Sequence, residues 1–173
     1  MVKRFKILVT FILTLCFLCS CANAQPPNED VTDGILSETY HTQWFDFTVK
    51  DVRSTTLFNQ YSPYDETYQF LIVTIEETNT YKDPLPMSCW DYKLEADSLQ
   101  EEDHWARSDF EEDPNIMPTQ FELEPNETVT YELVYCIPIG LDEVTIVFTE
   151  IDEKDRVGAT YRVKFTVPTL FNA

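Results

Sequence analysis

The sequence predicts an all-β protein, an antiparallel sandwich of two sheets preceded by a signal-peptide helix. Much of the chain alternates apolar and polar residues, as strands with one buried face do. Aromatic residues make up 14% of the chain, and glycine occurs only three times. About seven such segments are separated by turn residues, and no convincing helix follows the first 24 residues, which is typical of a sandwich.

The chain opens with the pattern of a secretory signal. Lys3, Arg4 and Lys6 precede a nearly unbroken apolar run from residue 7 to residue 18. This order of charge and hydrophobicity is that of an export signal, and the run is too short to span a bilayer comfortably. We therefore assign residues 1–24 to a signal peptide.

Two processing sites lie at the end of this signal. Leu18-Cys19-Ser20-Cys21 resembles a bacterial lipobox, in which the last cysteine receives lipid. Residues 22–24, Ala-Asn-Ala, also match the site of ordinary signal peptidase, which would cut before Gln25 and release a secreted domain. We favour lipidation of Cys21, because a short polar segment follows it. The Cys-x-x-Cys spacing of Cys16 and Cys19 lies inside the signal and is not interpreted as a redox motif.

Residues 25–41 are polar and acidic and contain Pro26-Pro27, so they predict a flexible tether. The sandwich domain is then expected over residues 42–173. In its strands, one face is predicted to point inward. The predicted strands are QWFDFTVKDV, YQFLIVTIEETNT, CWDYKLEAD, ETVTYELVYCIP and a closing hairpin of EVTIVFTEI and TYRVKFTV; the predicted inward residues are Phe45, Phe47, Val49, Trp90, Tyr92, Leu94, Val129, Tyr131, Leu133 and Tyr135.

The formal charge of −19 limits the classes of partner. It argues against nucleic acid, because the phosphate interactions that dominate such binding would be repulsive. Neither a G-x-G-x-x-G nor a P-loop pattern occurs, so no phosphate-binding loop and no cofactor are predicted. The acidity itself also serves solubility outside the cell.

Two stretches carry a family resemblance. The first is the long apolar strand from Phe70 to Asn79, and the second is LEPNETVTYELVYCIP, residues 123–138. Together with the closing hairpin they resemble the telokin-like, immunoglobulin-like domain of bacterial secreted lipoproteins, a family largely of unknown function. The resemblance implies an immunoglobulin-like sandwich and no catalytic residues. Asn126 stands where that family has glycine, which suits a turn because Asn tolerates the left-handed conformation, and Tyr131 replaces a small residue.

Cys89 and Cys136 are the cysteines that follow the signal. A pair outside the cell invites a disulfide. The alternation places both on the outward faces of their strands, so the disulfide would be a cross-link between neighbouring strands on the surface of one sheet. The alternative is two unrelated thiols.

The acidic segment EEDHWARSDFEED contains His104, and carboxylates beside an imidazole can bind a divalent cation. No D-x-D-x-D-G calcium loop occurs, so we interpret the segment as a solvated acidic loop and predict no metal site. No G-x-S-x-G elbow is present, and no catalytic residue is assigned.

Loop aromatics are the remaining candidates for function. Tyr61, Tyr64 and Trp105 are expected to form a binding patch, or else to pack beneath their loops. We therefore predict a non-enzymatic module, anchored to the membrane through lipid, that binds an envelope protein or a glycan. The alternatives are an accessory envelope domain without a ligand of its own and a hydrolase with an unrecognised site.

Overall fold

A computed structural model describes residues 30–110, 112–152, 154 and 156–170 of the chain. These residues form ten strands and two short 3-10 turns, and no α-helix occurs among them. The predicted signal peptide and residues 25–29 lie outside the described residues. The strands are β1 Val31–Gly34, β2 Thr39–His41, β3 Phe45–Thr55, β4 Tyr68–Asn79, β5 Leu85–Met87, β6 Tyr92–Glu95, β7 Phe121–Leu123, β8 Thr128–Pro138, β9 Glu143–Ile151 and β10 Val157–Thr166; the 3-10 turns are Cys89–Asp91 and Glu101–His104.

Two four-stranded sheets form the predicted sandwich. The first sheet has the order β1-β10-β9-β6 and the second has the order β2-β3-β4-β8, while β5 and β7 form a separate ribbon. The prediction of a two-sheet all-β fold is confirmed. The prediction that all strands are antiparallel is wrong at one place, because β1 runs parallel to β10. The closing hairpin of β9 and β10 is antiparallel, as predicted.

The main core lies between the two sheets, and β3 shows how the sequence builds it. Phe45, Phe47 and Val49 are buried, as their alternation predicts. A bulge between Val49 and Asp51 shifts the alternation, so that Val52 also packs on the core. The ring of Phe47 lies 5.0–5.9 Å from four other rings, those of Tyr40, Tyr92, Phe148 and Tyr161. Full burial of such a ring contributes about 1.5–3 kcal/mol.

The β4 strand is apolar on both faces because both faces are covered. It lies between β3 and β8, which confirms its prediction as a central strand. Leu71, Val73 and Ile75 face the main core. Phe70 and Ile72 face the opposite way and pack in a second hydrophobic cluster on the outer side of the sheet.

A carboxyl group lies in the main core at the end of β4. Glu77 is fully buried, and its Oε1 accepts a hydrogen bond of 2.6 Å from the Tyr92 hydroxyl. Its Oε2 has no hydrogen-bond partner among the residues that the structure describes. Burial raises the pKa of Glu77 to about 7, although the bond from Tyr92 acts in the opposite direction. The Tyr135 hydroxyl in turn donates to the Tyr92 carbonyl at 2.9 Å.

The prediction of a flexible tether over residues 25–41 is wrong from Val31 onward. Residues 31–34 form β1 and residues 39–41 form β2, so both belong to the sandwich. Tyr40 is buried, and its hydroxyl donates to the Ile35 carbonyl at 2.8 Å. Its ring lies against Gly34, where any Cβ atom would clash with it. The polar composition hid these strands because β1 lies at a sheet edge and exposes most of its side chains.

The segment CWDYKL does not alternate throughout. Ser88 caps the 3-10 turn Cys89–Asp91 in a capping box, and the turn rotates the chain before β6 begins. Trp90 is therefore 50% exposed and Cys89 is buried, the reverse of the prediction. Tyr92 and Leu94 are buried, as predicted.

The turn between β7 and β8 agrees with the expectation for Asn126. This residue has a φ of 65°, in the left-handed region where Asn is tolerated. Its backbone N–H donates to the Asn79 carbonyl at 3.0 Å, which ties the turn to the end of β4. Tyr131, in the adjacent β8, packs edge to face on Phe121 at 5.3 Å between centroids.

Candidate functional site

The outer face of the second sheet carries a hydrophobic cluster of its own. From the sheet it takes Phe70, Ile72, Val134 and Cys136, and from two covering segments it takes Phe58, Phe110 and Ile116. Phe110 meets Phe58 at 5.2 Å and Phe70 at 5.6 Å, both edge to face. Such aromatic pairs stabilise a fixed arrangement beyond the area they bury. The covering segments are the loop of residues 56–67 and the segment of residues 105–117.

The loop of residues 56–67 begins with a tight turn. Phe58 and Tyr61 exchange two backbone hydrogen bonds of 2.9 and 2.8 Å. Between them, Asn59 has a φ of 48° and Gln60 a φ of 70°. Two consecutive positive φ values define a type I′ turn, for which Asn is well suited at the first central position and Gln is not. The turn is thus held in a conformation that an isolated loop would rarely adopt.

Asp113 ties this turn to the second covering segment. Its Oδ2 accepts a hydrogen bond of 2.8 Å from the Asn59 side chain. Its Oδ1 accepts from the backbone N–H of Asn115 at 3.0 Å and from the side-chain amide of Asn115 at 2.9 Å. The bond from the Asn115 backbone, aided by the Asn59 amide, lowers the pKa of Asp113. Asp113 is therefore ionised over the physiological range.

Arg53 and Glu132 form a bidentate ion pair beside the turn. Arg53 Nη2 lies 2.7 and 2.8 Å from the two carboxylate oxygens of Glu132. The guanidinium carbon also lies 5.6 Å from the centre of the Phe58 ring. The pair sits on β3 and β8, on either side of β4, so the sheet fixes its position.

A cleft of about 410 Å³ opens between these groups. It is lined by strand residues that include Arg53, Thr74 and Glu132, and by Phe58, Asn59, Asp113 and Asn115 from the two covering segments. A second cleft, of about 430 Å³, lies on the outer face of the first sheet. That second cleft is lined by Lys93, Glu95, His104, Arg162 and Lys164 among others.

The predicted aromatic patch is divided between two places. Tyr61 and Tyr64 lie on the loop of residues 56–67 and are 62% and 65% exposed. Tyr61 packs edge to face on Phe110 at 5.6 Å, and Tyr64 lies 4.8 Å from the ring of Tyr68. Trp105 follows the second 3-10 turn and is 38% exposed. Among the described residues, no ring contact joins Trp105 to either tyrosine.

The predicted surface disulfide between Cys89 and Cys136 is not formed in this structure. Cys89 lies in the main core, whereas Cys136 lies in the cluster on the opposite face of the second sheet. Cys136 points outward from its strand, as predicted, but the covering segments bury it. Burial raises the pKa of the Cys136 thiol to about 11, so the reactive thiolate is disfavoured.

The acidic segment around His104 has structural contacts. The His104 Nδ1 lies 2.5 Å from the Leu94 carbonyl oxygen, which faces the edge of β6. Asp103 is buried, and it accepts hydrogen bonds from the Gln100 backbone at 3.1 Å and the Tyr68 hydroxyl at 3.4 Å. Within the described part of the chain, no group of three metal-ligating side chains occurs.

None of the described residues belongs to a helix long and apolar enough to cross a membrane.

The sequence profile of a family described as a domain of unknown function, DUF4352, matches residues 35–157. This match covers most of the sandwich, and the chain belongs to that family. No match was found among curated proteins.

Several crystal structures resemble the fold. The YjhA protein of Bacillus subtilis is 21% identical with a TM-score of 0.55, over 79% of this chain and 99% of that one. A "putative lipoprotein" of the same species, YcdA, is 19% identical with a TM-score of 0.53, over 75% of this chain. The chain spans only 38% of the YcdA length. A β-sandwich protein of Clostridium difficile is 11% identical with a TM-score of 0.47, over 83% of this chain and 99% of that one. At their identities, YjhA and YcdA show a shared fold and nothing further.

Proposed function

We propose that this member of the DUF4352 family is an extracytoplasmic, lipid-anchored, immunoglobulin-like module that binds a protein or glycan of the cell envelope. The binding surface is the loop of residues 56–67, and the activity is non-enzymatic. The observation that carries this proposal is the exposure of Tyr61 and Tyr64 on a loop whose base is fixed by the second cluster.

Two large aromatic rings exposed on one loop favour recognition over mere packing. Leu57, on the same loop, is also 60% exposed. Exposed apolar groups that lie together mark interaction sites, and tyrosine is enriched at interfaces because it combines a rigid ring with a polar hydroxyl. The contacts of Tyr61 with Phe110 and of Tyr64 with Tyr68 hold the rings in place before a partner arrives. Little conformational entropy would then be lost on binding.

Cys21 is the proposed site of the anchor and lies outside the described residues. The lipobox pattern of residues 18–21 supports it, and the description of YcdA as a lipoprotein is consistent with it. Metabolic labelling with palmitate tests the anchor. Label on the wild-type chain and none on Cys21→Ala is expected; an unlabelled mature protein that begins at Gln25 would replace the anchor with free secretion.

Retention of the purified chain on isolated cell envelopes tests the binding surface. Tyr61→Ala with Tyr64→Ala is expected to reduce retention about tenfold, because truncating central aromatic residues of an interface costs about 1.4 kcal/mol or more. Trp105→Ala should have a smaller effect, since that side chain is less exposed. Tyr81→Ala, which removes an exposed tyrosine from the segment between β4 and β5, is the matched control. Equal retention of the wild type and the double variant would contradict the proposal.

A further inference from the structure

We propose that the cleft of about 410 Å³ on the outer face of the second sheet is a binding site for a neutral glycan. This inference rests on the proposed function and names the chemical class of its ligand. The cleft adjoins the loop tyrosines, since Phe58 lines it and is joined to Tyr61 by two backbone hydrogen bonds. Its volume falls in the range of about 300–1,000 Å³ that is usual for small-ligand sites.

The lining groups alternate hydrogen-bond donors and acceptors. Arg53 supplies only donors, Glu132 and Asp113 only acceptors, and the amides of Asn59 and Asn115 supply both. A sugar hydroxyl both donates and accepts, and neighbouring hydroxyls are spaced so that one planar side chain can engage two of them. Guanidinium, carboxylate and amide groups are all planar and bidentate. This set of side chains therefore matches a polyhydroxylated ligand.

The charge of the cleft disfavours ionic ligands. Arg53 is neutralised by Glu132, which leaves the ionised Asp113 as the unbalanced charge. An anion would meet that carboxylate on a chain with a formal charge of −19. A metal ion is disfavoured for a different reason, because the described residues contain no group of three metal-ligating side chains. A neutral ligand avoids both penalties.

The walls of the cleft are organised before a ligand binds. The positive φ values of Asn59 and Gln60 lie in the left-handed region, which Asn tolerates and Gln rarely adopts. They persist because the Asn59 side chain is held by Asp113 and because Phe58 is packed beneath the turn. The hydrogen-bonding groups are thus kept in one geometry, and binding a sugar would not require them to be ordered first.

The second cleft, on the first sheet, is a weaker candidate for a glycan. Its cations are bound to carboxylates, with Arg162 at 2.9 Å from Glu95 and Lys164 at 2.7 Å from Glu143. None of the described residues that line it carries a side-chain amide. Amide side chains both donate and accept hydrogen bonds, as sugar hydroxyls do, and Asn59 and Asn115 provide them in the first cleft. The second cleft therefore supplies a control.

Calorimetry and nuclear magnetic resonance on the purified full chain test the proposal, with maltotetraose, cellotetraose and tetra-N-acetylchitotetraose as neutral probes. At least one probe is expected to bind at millimolar concentration or below and to shift the backbone signals of Asn59, Asp113 and Asn115. Arg53→Met removes the donors and the guanidinium that lies over Phe58 but keeps an unbranched aliphatic side chain, and it should weaken binding at least tenfold. Asp113→Asn should also weaken it while preserving the turn. Lys164→Met, in the other cleft, should bind like the wild type.

Each contrary result overturns the inference. Absence of binding by all three probes would exclude a neutral glycan, and undiminished binding by a folded Arg53→Met variant would place the glycan elsewhere. Signal shifts on the wild-type chain locate the ligand even if a variant fails to fold. If the tyrosine variants still lose envelope retention while no sugar binds, the binding module stands and only the ligand class fails.

Discussion

The two faces of the second sheet are both buried, but they are buried by different means. The inner face packs on the first sheet, through residues such as Phe47, Leu71 and Tyr135. The outer face packs on two segments without regular strands, through Phe58, Phe110 and Ile116. Removing the inner contacts separates the two sheets, whereas removing the outer contacts releases loops. The inner face thus determines whether the chain folds, and the outer face determines whether its loops present a fixed surface.

The largest effect is expected on the inner face. Phe47→Ala should destabilise the protein by about 3–5 kcal/mol, because it removes a ring packed against four others and leaves a cavity. That is a large share of the total stability of an ordinary domain. Urea unfolding followed by tryptophan fluorescence measures it. A loss below about 1 kcal/mol would show that the core readily collapses around the deletion.

A smaller loss is expected on the outer face. Phe110→Ala should lower the free energy of unfolding by about 2–3 kcal/mol. The loss is smaller than for Phe47→Ala because the covering segments can move into the space that the ring leaves. Hydrogen exchange should become faster in residues 56–67 while β4 and β8 stay protected. Faster exchange in β4 to the same degree would mean that the two faces unfold together and that their distinction is wrong.

The two faces also differ in how they hold carboxyl groups, which predicts a pH dependence. The pKa of Glu77 on the inner face is raised from 4.5 to about 7, so its neutral form stabilises the fold. That contribution is complete below pH 4.5 and is lost as the pH rises through 7. Glu77→Gln keeps an acceptor for Tyr92. Its free energy of unfolding, relative to that of the wild type, should therefore rise by about 3 kcal/mol between pH 4 and pH 8.

Glu76, the neighbouring residue that points outward, is the control for the pH dependence attributed to Glu77. Glu76 lies 3.1 Å from Lys50 at the surface, and Glu76→Gln is the matched variant that removes an exposed carboxylate from the same strand. Urea unfolding of both variants across the pH range measures the difference. If the difference in free energy of unfolding between Glu77→Gln and the wild type stays constant with pH, the buried carboxyl does not titrate in this range.

The smallest effect is expected at the rim of the outer face. Asp113→Ala removes three hydrogen bonds from exposed loops, and the global free energy of unfolding should fall by only about 1 kcal/mol. The local effect should be clear, with faster amide exchange at Asn59 and Asn115. Because the pKa of Asp113 is lowered, the wild-type loop contacts should weaken as the pH falls through that pKa. Exchange unchanged in the variant would show that Phe58 packing alone holds the turn.

The sequence predicted the inner face better than the outer one. Alternation identified Phe45, Phe47, Val49, Leu133 and Tyr135, because a strand with one face on a continuous core repeats every second residue. It failed at Cys89 and Trp90, where a capped 3-10 turn changes the period. It also missed β1 and β2, since short edge strands bury few side chains and their composition is that of a linker.

The candidate site could not be assembled from sequence spacing. Asn59 and Asp113 are 54 residues apart, and Arg53 and Glu132 are 79 residues apart. The register of β3, β4 and β8 brings Arg53 and Glu132 together, and the packing of the covering segments brings Asn59 to Asp113, so both depend on the tertiary fold. The loop tyrosines were recognisable because large aromatic residues in a polar loop are conspicuous. The sequence did not show that these tyrosines lie apart from Trp105, because that separation depends on how two long connections cross the sheet.

The early start of β1 affects how far the domain can stand from a bilayer. In the lipid-anchored form, only residues 22–30 separate the acylated cysteine from the first strand. Fully extended, they reach about 30 Å, roughly half of what a tether ending at His41 would allow. An acidic sandwich is repelled by anionic head groups. If the proposed anchor at Cys21 is correct, the ligands within reach are those close to the membrane surface.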